Sequence, residues 1–339
     1  MKKITIIGLG YVGLPTFLVL SNVKKKKKYL YEVEGIEKDD VKGRKIRENF
    51  EKRKKWIMAK DKIYNNFFNL SAKRKSVYIN NNFNKLINSK IIIVSVNFDF
   101  SEQLKNPFKN LIDLSKDIAE RIQKNALLIF ETTLPPGTTN NVILPIFNNI
   151  LKKRKMKLED ILFCYSYERV MPGKDYIKSI KSNYRCYSGL NGKSKRNCKF
   201  FFKSFIDVKK FPLTEFNSII ECETAKILEN SYRATNIALI DEWTKASKIM
   251  NINLKKVIEA IRLRKSHSNI MWPGLGVGGY CLTKDPSFVK FSMKKFFKKN
   301  IKFPIVESTS LINKNMFKTS VNFILENIKT LNKKRVLIC

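Results

Sequence analysis

Cys281 stands in the most glycine-dense stretch of this 339-residue chain, Pro273-Gly-Leu-Gly-Val-Gly-Gly-Tyr-Cys-Leu-Thr-Lys-Asp-Pro286, where four of the 13 glycines fall between Gly274 and Gly279. Without side chains the backbone there can turn tightly and pass close to a ligand. A thiol on such a turn, with Lys284 and Asp285 just beyond it, has neighbours able to set its protonation and access, as a reactive cysteine requires. The stretch alone leaves a second reading open, a glycine-rich loop with an incidental cysteine. Other groups suited to chemistry recur along the chain. Lys226 and Asn230 are one helical turn apart, so an ammonium and an amide can converge on one oxygen, although the same face can simply be solvated. Glu168 beside Arg169 is either a general base or half of a structural ion pair. Glu131-Thr-Thr133-Leu-Pro-Pro-Gly137-Thr-Thr139 is rich in hydroxyls and rigid prolines, which equally suit a capped helix start.

The elements that must position these groups follow from apolar patterning. Lys2 to Ile7 is a β-branched run. It is followed by Gly8-Leu-Gly10-Tyr11-Val12-Gly13 and an apolar helical segment to about Ser21. Strand, GxGxxG turn and helix together place backbone N–H groups and a helix N-terminus where a pyrophosphate can bind. A second strand, about 29 to 36, ends at Glu37. An acidic side chain at that distance can accept hydrogen bonds from a ribose diol and would repel a 2′-phosphate, which favours NAD over NADP. Strand signals return at 91–96, 126–130 and 161–165, with a helical run over 108–123, whereas 38–90 is Lys- and Asn-rich with weak patterning. This alternation predicts an α/β fold with a doubly wound parallel sheet, whose ligands bind beyond the strand C-termini. From 217 to about 250 one long helix is expected, apolar over much of its circumference and suited to burial against a second subunit. Further helices are expected at about 254–263 and 286–298.

Lys plus Arg number 67 against 29 Asp plus Glu, a net charge of +38. Such a balance can signal nucleic acid or an anionic membrane. The lysine runs, however, are scattered among Asn, Ile and Phe without forming a basic arm, and no nucleic-acid reader motif occurs, so neither partner is expected. The charge still draws anionic ligands such as nucleotides. The six cysteines show no CxxC spacing, which indicates neither a zinc site nor a disulfide framework and fits a reducing cytoplasm. No uncharged apolar run reaches membrane-spanning length.

Taken together, Gly8 to Gly13, Thr-Thr133-Leu-Pro-Pro-Gly-Thr-Thr, Glu168-Arg-Val-Met-Pro-Gly, Lys226-Ile-Leu-Glu-Asn230-Ser-Tyr-Arg and Pro273 to Pro286 resemble, in order and over nearly the whole chain, the UDP-glucose/GDP-mannose dehydrogenase family of nucleotide-sugar 6-dehydrogenases. The wording around Glu168 looks more like the branch acting on UDP-N-acetylhexosamines. The resemblance implies oxidation of a sugar C6 alcohol to a carboxylate, with two NAD molecules reduced in turn, for surface-polysaccharide precursors. By motif, Cys281 is the nucleophile toward the aldehyde, and Lys226 and Asn230 stabilise the oxyanion. Glu168, Thr133 and Asp285 handle water and protons, Glu168 being the base for thioester hydrolysis. Gly8, Gly10, Tyr11, Val12, Gly13, Glu37 and Thr133 are expected at the cofactor. Glu168, Arg169, Lys226, Asn230 and Gly278 are expected at the UDP-sugar, and no metal is implied.

The chain departs from the family pattern in three places. Val96-Asn97-Phe98-Asp99 replaces the usual Val-Pro-Thr-Pro turn, and His267, the only histidine, lies near the position of an arginine that relatives extend to a neighbouring subunit. Lys333-Lys-Arg-Val336-Leu-Ile-Cys339 looks like the opening strand of a second Rossmann-like domain. The expected organisation is thus a Rossmann-like NAD domain over 1–210 and a mainly helical central domain over 211–325 that homodimerises through its long helix. Residues 326–339 would be the stub of a truncated sugar-nucleotide domain, which a separate chain could carry. The rival reading is an inactive NAD-binding remnant or interaction module of the same family.

Overall fold

The computed structural model describes residues 1–57, 59–100, 104–171 and 173–328. The expected strand at 333–339 lies outside the described residues. The chain divides into two compact units, Met1–Thr224 and Ala225–Cys339.

The first unit is built as β1 (Lys2–Ile7), α1 (Gly13–Ser21), a hairpin of β2 (Lys24–Lys25) and β3 (Lys28–Tyr29), β4 (Tyr31–Ile36), α2 (Val41–Glu51), α3 (Lys62–Ala72), β5 (Val77–Asn80), β6 (Ile91–Val94), α4 (Lys109–Ala119), β7 (Leu127–Phe130), α5 (Leu144–Lys153), β8 (Leu162–Tyr165), α6 (Lys178–Lys181), β9 (Cys186–Gly189), α7 (Gly192–Phe202) and β10 (Thr214–Glu215). Apart from the β2–β3 hairpin, the strands form one sheet in the order β10-β9-β8-β7-β6-β1-β4-β5. β5, β4, β1, β6, β7 and β8 are mutually parallel, as expected of a doubly wound sheet. β6, β7 and β8 are uninterrupted apolar runs, buried at every position, because helices cover a parallel sheet on both faces. α1 is buried along its whole length.

The sheet is not parallel throughout. β9 runs antiparallel to β8, and β10 runs parallel to β9. Among the described residues, the only α-helix between β8 and β9 is the four-residue α6. The Lys- and Asn-rich segment of weak patterning folds into α2, α3 and β5. Its helices are fixed by Asp40, whose carboxylate accepts from the Gly43 N–H, and by Asp61, which accepts from the Ile63 and Tyr64 N–H groups.

The helix α8 (Ile219–Ile249) leads from the first unit into the second, where it is followed by α9 (Leu254–Arg262), α10 (Tyr280–Lys284), α11 (Phe288–Lys295) and α12 (Pro304–Asn327). The unit has little apolar core of its own. Ile240, Leu254 and Ile258 are buried together, with Ile270 and Met271 against them. Polar ties join α8 to α12, from Asn313 Nδ2 to the Ala234 carbonyl at 3.0 Å and between the Thr235 and Thr309 hydroxyls at 3.1 Å. α12 was not expected from the sequence; Pro304 in its first turn is a start signal that could have found it. Among the described residues no helix is long and apolar enough to cross a membrane.

The core of the first unit yields a direct test. Phe163 is fully buried, stacked on Phe130 at 5.4 Å between ring centroids and edge-on to Phe147 at 5.7 Å. Phe163→Ala should lower unfolding free energy by about 3–5 kcal/mol, measured as a shift in the denaturant midpoint at unchanged slope.

Candidate active site

The turn after β1 is shaped by what glycine lacks. A Cβ on Gly13 would stand 1.8 Å from the Gly8 carbonyl oxygen, and one on Gly8, whose φ is +89°, would stand 2.8 Å from the Ser95 carbonyl oxygen. At Gly10 no atom lies within 4 Å of the Cβ position. The turn is therefore pressed onto β1 and β6 at its two ends and open in the middle. No side chain caps the N-terminus of α1. Among the described residues the N–H groups of Gly10, Tyr11 and Val12 have no acceptor. This is what a dinucleotide pyrophosphate needs from a turn, so the residues fit NAD on the structure's own terms. Glu37 stands at the end of β4, one carboxylate oxygen accepting from the Leu9 N–H. Burial pushes its carboxyl above the usual range, against the lowering effect of the Leu9 N–H and Lys42.

Thr133 is half-buried after β7, and among the described residues no hydrogen bond engages its hydroxyl. Its neighbours are committed to structure: Thr132 donates to the Val96 carbonyl at 2.9 Å and Thr138 to the Pro135 carbonyl at 2.6 Å. Glu168, after β8, is half-buried and accepts from the Val170 N–H. Arg169 is anchored in its own unit, donating to the Tyr184 carbonyl and to the Tyr167 hydroxyl, both at 2.8 Å.

In the second unit, Lys226 and Asn230 are both nearly buried on α8, 7% and 8% exposed, which rules out a merely solvated face. Asn230 Nδ2 donates to Asp285 Oδ2 at 2.6 Å, and Lys284 Nζ lies 2.7 Å from Asp285 Oδ1. Asp285 itself is fully buried. Its carboxylate, engaged on both oxygens, is thus placed to orient Asn230. Lys284 also lies over the Tyr280 and Phe288 rings, 4.5 Å from each centroid. Cys281 is exposed at the second position of α10. The loop before it is open, with no atom within 4 Å of the Cβ position of Gly274, Gly278 or Gly279. Gly279, at φ +140°, is in a conformation that other residues rarely adopt. The sequence pointed to a loop around Cys281; the structure puts the thiol at a helix start directly after that loop.

Residues 2–205 match the NAD binding domain of the UDP-glucose/GDP-mannose dehydrogenase family, and residues 221–315 match its central domain. The chain belongs to this family. A UDP-N-acetyl-D-mannosamine dehydrogenase of Methanococcus vannielii is 31% identical over 338 residues, 98% of this chain and 70% of that protein. Its counterpart in Methanocaldococcus jannaschii is 30% identical over 342 residues, 99% of this chain and 70% of the relative. The solved structure of the UDP-D-ManNAc dehydrogenase from Pyrococcus horikoshii superposes with a TM-score of 0.81 at 25% identity, covering 97% of this chain and 72% of that one. NAD is the cofactor of the matched domain.

Two buried carboxylates of the dehydrogenase went unnoticed in its sequence. Glu131 accepts from Ser95 Oγ at 3.0 Å and pairs with Arg185, whose guanidinium burial depresses to about 10. Glu223 on α8 accepts from the Gly137 N–H at 2.6 Å, the Thr139 N–H at 2.9 Å and the Thr139 hydroxyl at 2.7 Å. It thereby fixes the turn that carries Thr133. Its place three residues before Lys226 gave only a helix position, since nothing local shows which distant N–H groups an acid will meet.

Burial pushes the Glu223 carboxyl up to about 7, against the lowering effect of its three donors. A carboxyl raised in the folded state binds its proton more tightly there than in the unfolded chain. Its contribution is then full below pH 4.5, falls as pH rises toward 7 and is flat beyond. The dehydrogenase should lose about 3 kcal/mol of stability across that window from this group, followed as the denaturant midpoint against pH. Glu223→Gln should remove that slope. Glu223→Ala, which strands the Gly137 and Thr139 N–H groups, should cost about 1–3 kcal/mol.

Proposed function

We propose that this dehydrogenase oxidises the C6 alcohol of a UDP-N-acetylhexosamine, UDP-N-acetyl-D-mannosamine by likeness to its named relatives, to the uronic acid. The observation that carries the reading is the exposed Cys281 thiol on the helix that leads into Asp285, with Asn230 and Lys284 fixed to that buried carboxylate. NAD, when bound, accepts the hydride in each of the two oxidations. The unpaired amides of Gly10, Tyr11 and Val12 hold its pyrophosphate, and Glu37 takes the ribose diol.

Once the alcohol has become an aldehyde, Cys281 Sγ adds to the carbonyl carbon, and the oxygen gains a proton to give a thiohemiacetal. Loss of the hydride from carbon and of the hydroxyl proton leaves a thioester. Water then adds to the thioester carbon, Glu168 takes its proton, and the thiol leaves, giving the carboxylate. Lys226 and Asn230 donate to the oxygen on which charge develops in each addition. Asp285 keeps Asn230 aimed, and the Thr133 hydroxyl orients water. Arg169 and the open backbone at Gly278 meet the sugar nucleotide.

The long helix supports a homodimer in this reading. Leu228, Tyr232, Leu239 and Trp243 recur at intervals of four and seven, on one face, and all are exposed.

The chain supplied with UDP-N-acetyl-D-mannosamine, NAD and a relative's sugar-nucleotide domain in trans should form two NADH per sugar and the uronic acid. UDP-glucose should be the poorer substrate. Cys281→Ser should leave the dissociation constant for NAD unchanged and abolish uronic acid formation, measured by chromatography of the sugar products. A serine variant that forms the acid at the parent rate would refute the assignment.

A further inference from the structure

The glycine-rich turn is held from behind by two side chains that lie outside its motif. Trp56 Nε1 donates to the Leu9 carbonyl at 3.3 Å, and the Tyr176 hydroxyl donates to the Tyr11 carbonyl at 2.6 Å. In a trans peptide the carbonyl and the following N–H point in opposite directions. A carbonyl fixed toward the protein therefore sends the next N–H away from it. The next N–H groups are those of Gly10 and Val12, two of the amides with no acceptor among the described residues.

Both donors belong to one aromatic cluster. The Tyr176 ring is fully buried 5.7 Å from Tyr64, Tyr64 is 6.3 Å from Phe68, and Phe68 is 5.7 Å from Trp56, which meets Phe50 at 6.4 Å. The chain on either side is also pinned. The Tyr64 hydroxyl donates to the Ile57 carbonyl at 2.7 Å, and Asp61 accepts from the Ile177 N–H at 2.8 Å. The two hydrogen bonds thus come from donors with little freedom to follow the turn if a peptide rotates. Released, either carbonyl can swing outward and set its negative end against a phosphate in place of an N–H.

We infer that Trp56 and Tyr176 are positioning residues for the cofactor, which hold the Gly10 and Val12 amides toward the pyrophosphate by fixing the Leu9 and Tyr11 carbonyls. The inference rests on NAD binding to this turn, as the proposed function does. It names two residues from segments in which the sequence showed no site.

Tyr176→Phe deletes one hydroxyl and keeps the ring in its cluster, and Trp56→Phe does the same for the indole N–H. Dissociation constants of the full chain for NAD, ADP-ribose and adenosine separate pyrophosphate recognition from general damage. Each variant should bind NAD and ADP-ribose about tenfold more weakly, with adenosine binding and the circular dichroism spectrum unchanged. Parental affinity for ADP-ribose in both variants would overturn the inference, as would an equal loss for adenosine. Tyr176→Phe that fails to fold leaves Trp56→Phe to decide by the same comparison. A parent chain that binds no NAD would overturn the cofactor assignment itself, a result distinct from parent-like variants.

Discussion

The contact of Gly13 with the Gly8 carbonyl is the constraint from which the cofactor half of the molecule follows. With 1.8 Å between a would-be Cβ and that oxygen, no other residue fits at position 13, and α1 can begin directly over the end of β1 only because none is there. Once α1 is seated, it is buried along its whole length. Among the described residues the Gly10, Tyr11 and Val12 amides of the turn before it meet no acceptor, which leaves them available to a ligand. Glu37, Trp56 and Tyr176 each bind a backbone group of that turn. A cofactor site made of main chain is only as well defined as the groups that hold the main chain still.

Carboxylates do this work elsewhere in the molecule too, and their scarcity makes the pattern informative. Only 29 acidic residues stand against 67 basic ones, yet Glu34, Glu131, Glu223, Asp241 and Asp285 are buried. Burial of a carboxylate is unfavourable unless donors surround it, and here they do. Glu34 accepts from Thr5 at 2.9 Å and from Asn80 at 2.7 Å, while Asp285 takes Asn230 and Lys284. With these acids drawn inside, the basic surplus is left at the surface.

How much of this was legible in the sequence depended on whether the signal was local. The strands β1, β6, β7 and β8, the long α8 and the GxGxxG turn each announce themselves within one short window, and all appear where the residues implied. Lys226 and Asn230 could be placed on one face from their spacing, but only the fold shows that face to be buried. Trp56, Tyr176 and Glu223 could not be found. Each acts on backbone groups 47, 165 and 84 or 86 positions away, and neither periodicity nor residue type reports a partner at that distance. The reversal of β9 was hidden as well, since the residues of neither strand report the direction in which they pair.

Glu37 shows how closely structure and recognition are joined in this turn. One of its oxygens is held by the Leu9 N–H, so the carboxylate cannot swing away when a cofactor approaches. That same bond orients the peptide before Leu9, while Trp56 orients the one after it. A residue expected from the sequence to contact the ribose therefore also holds one peptide of the glycine turn. On the proposed reading, preference for an unphosphorylated ribose and the shape of the turn would rest on a single side chain. A 2′-phosphate would meet negative charge at a group that cannot move aside without disturbing the amides that bind the rest of the molecule. On the proposed reading, selectivity for NAD would come from the geometry of the turn as well as from one repulsive contact.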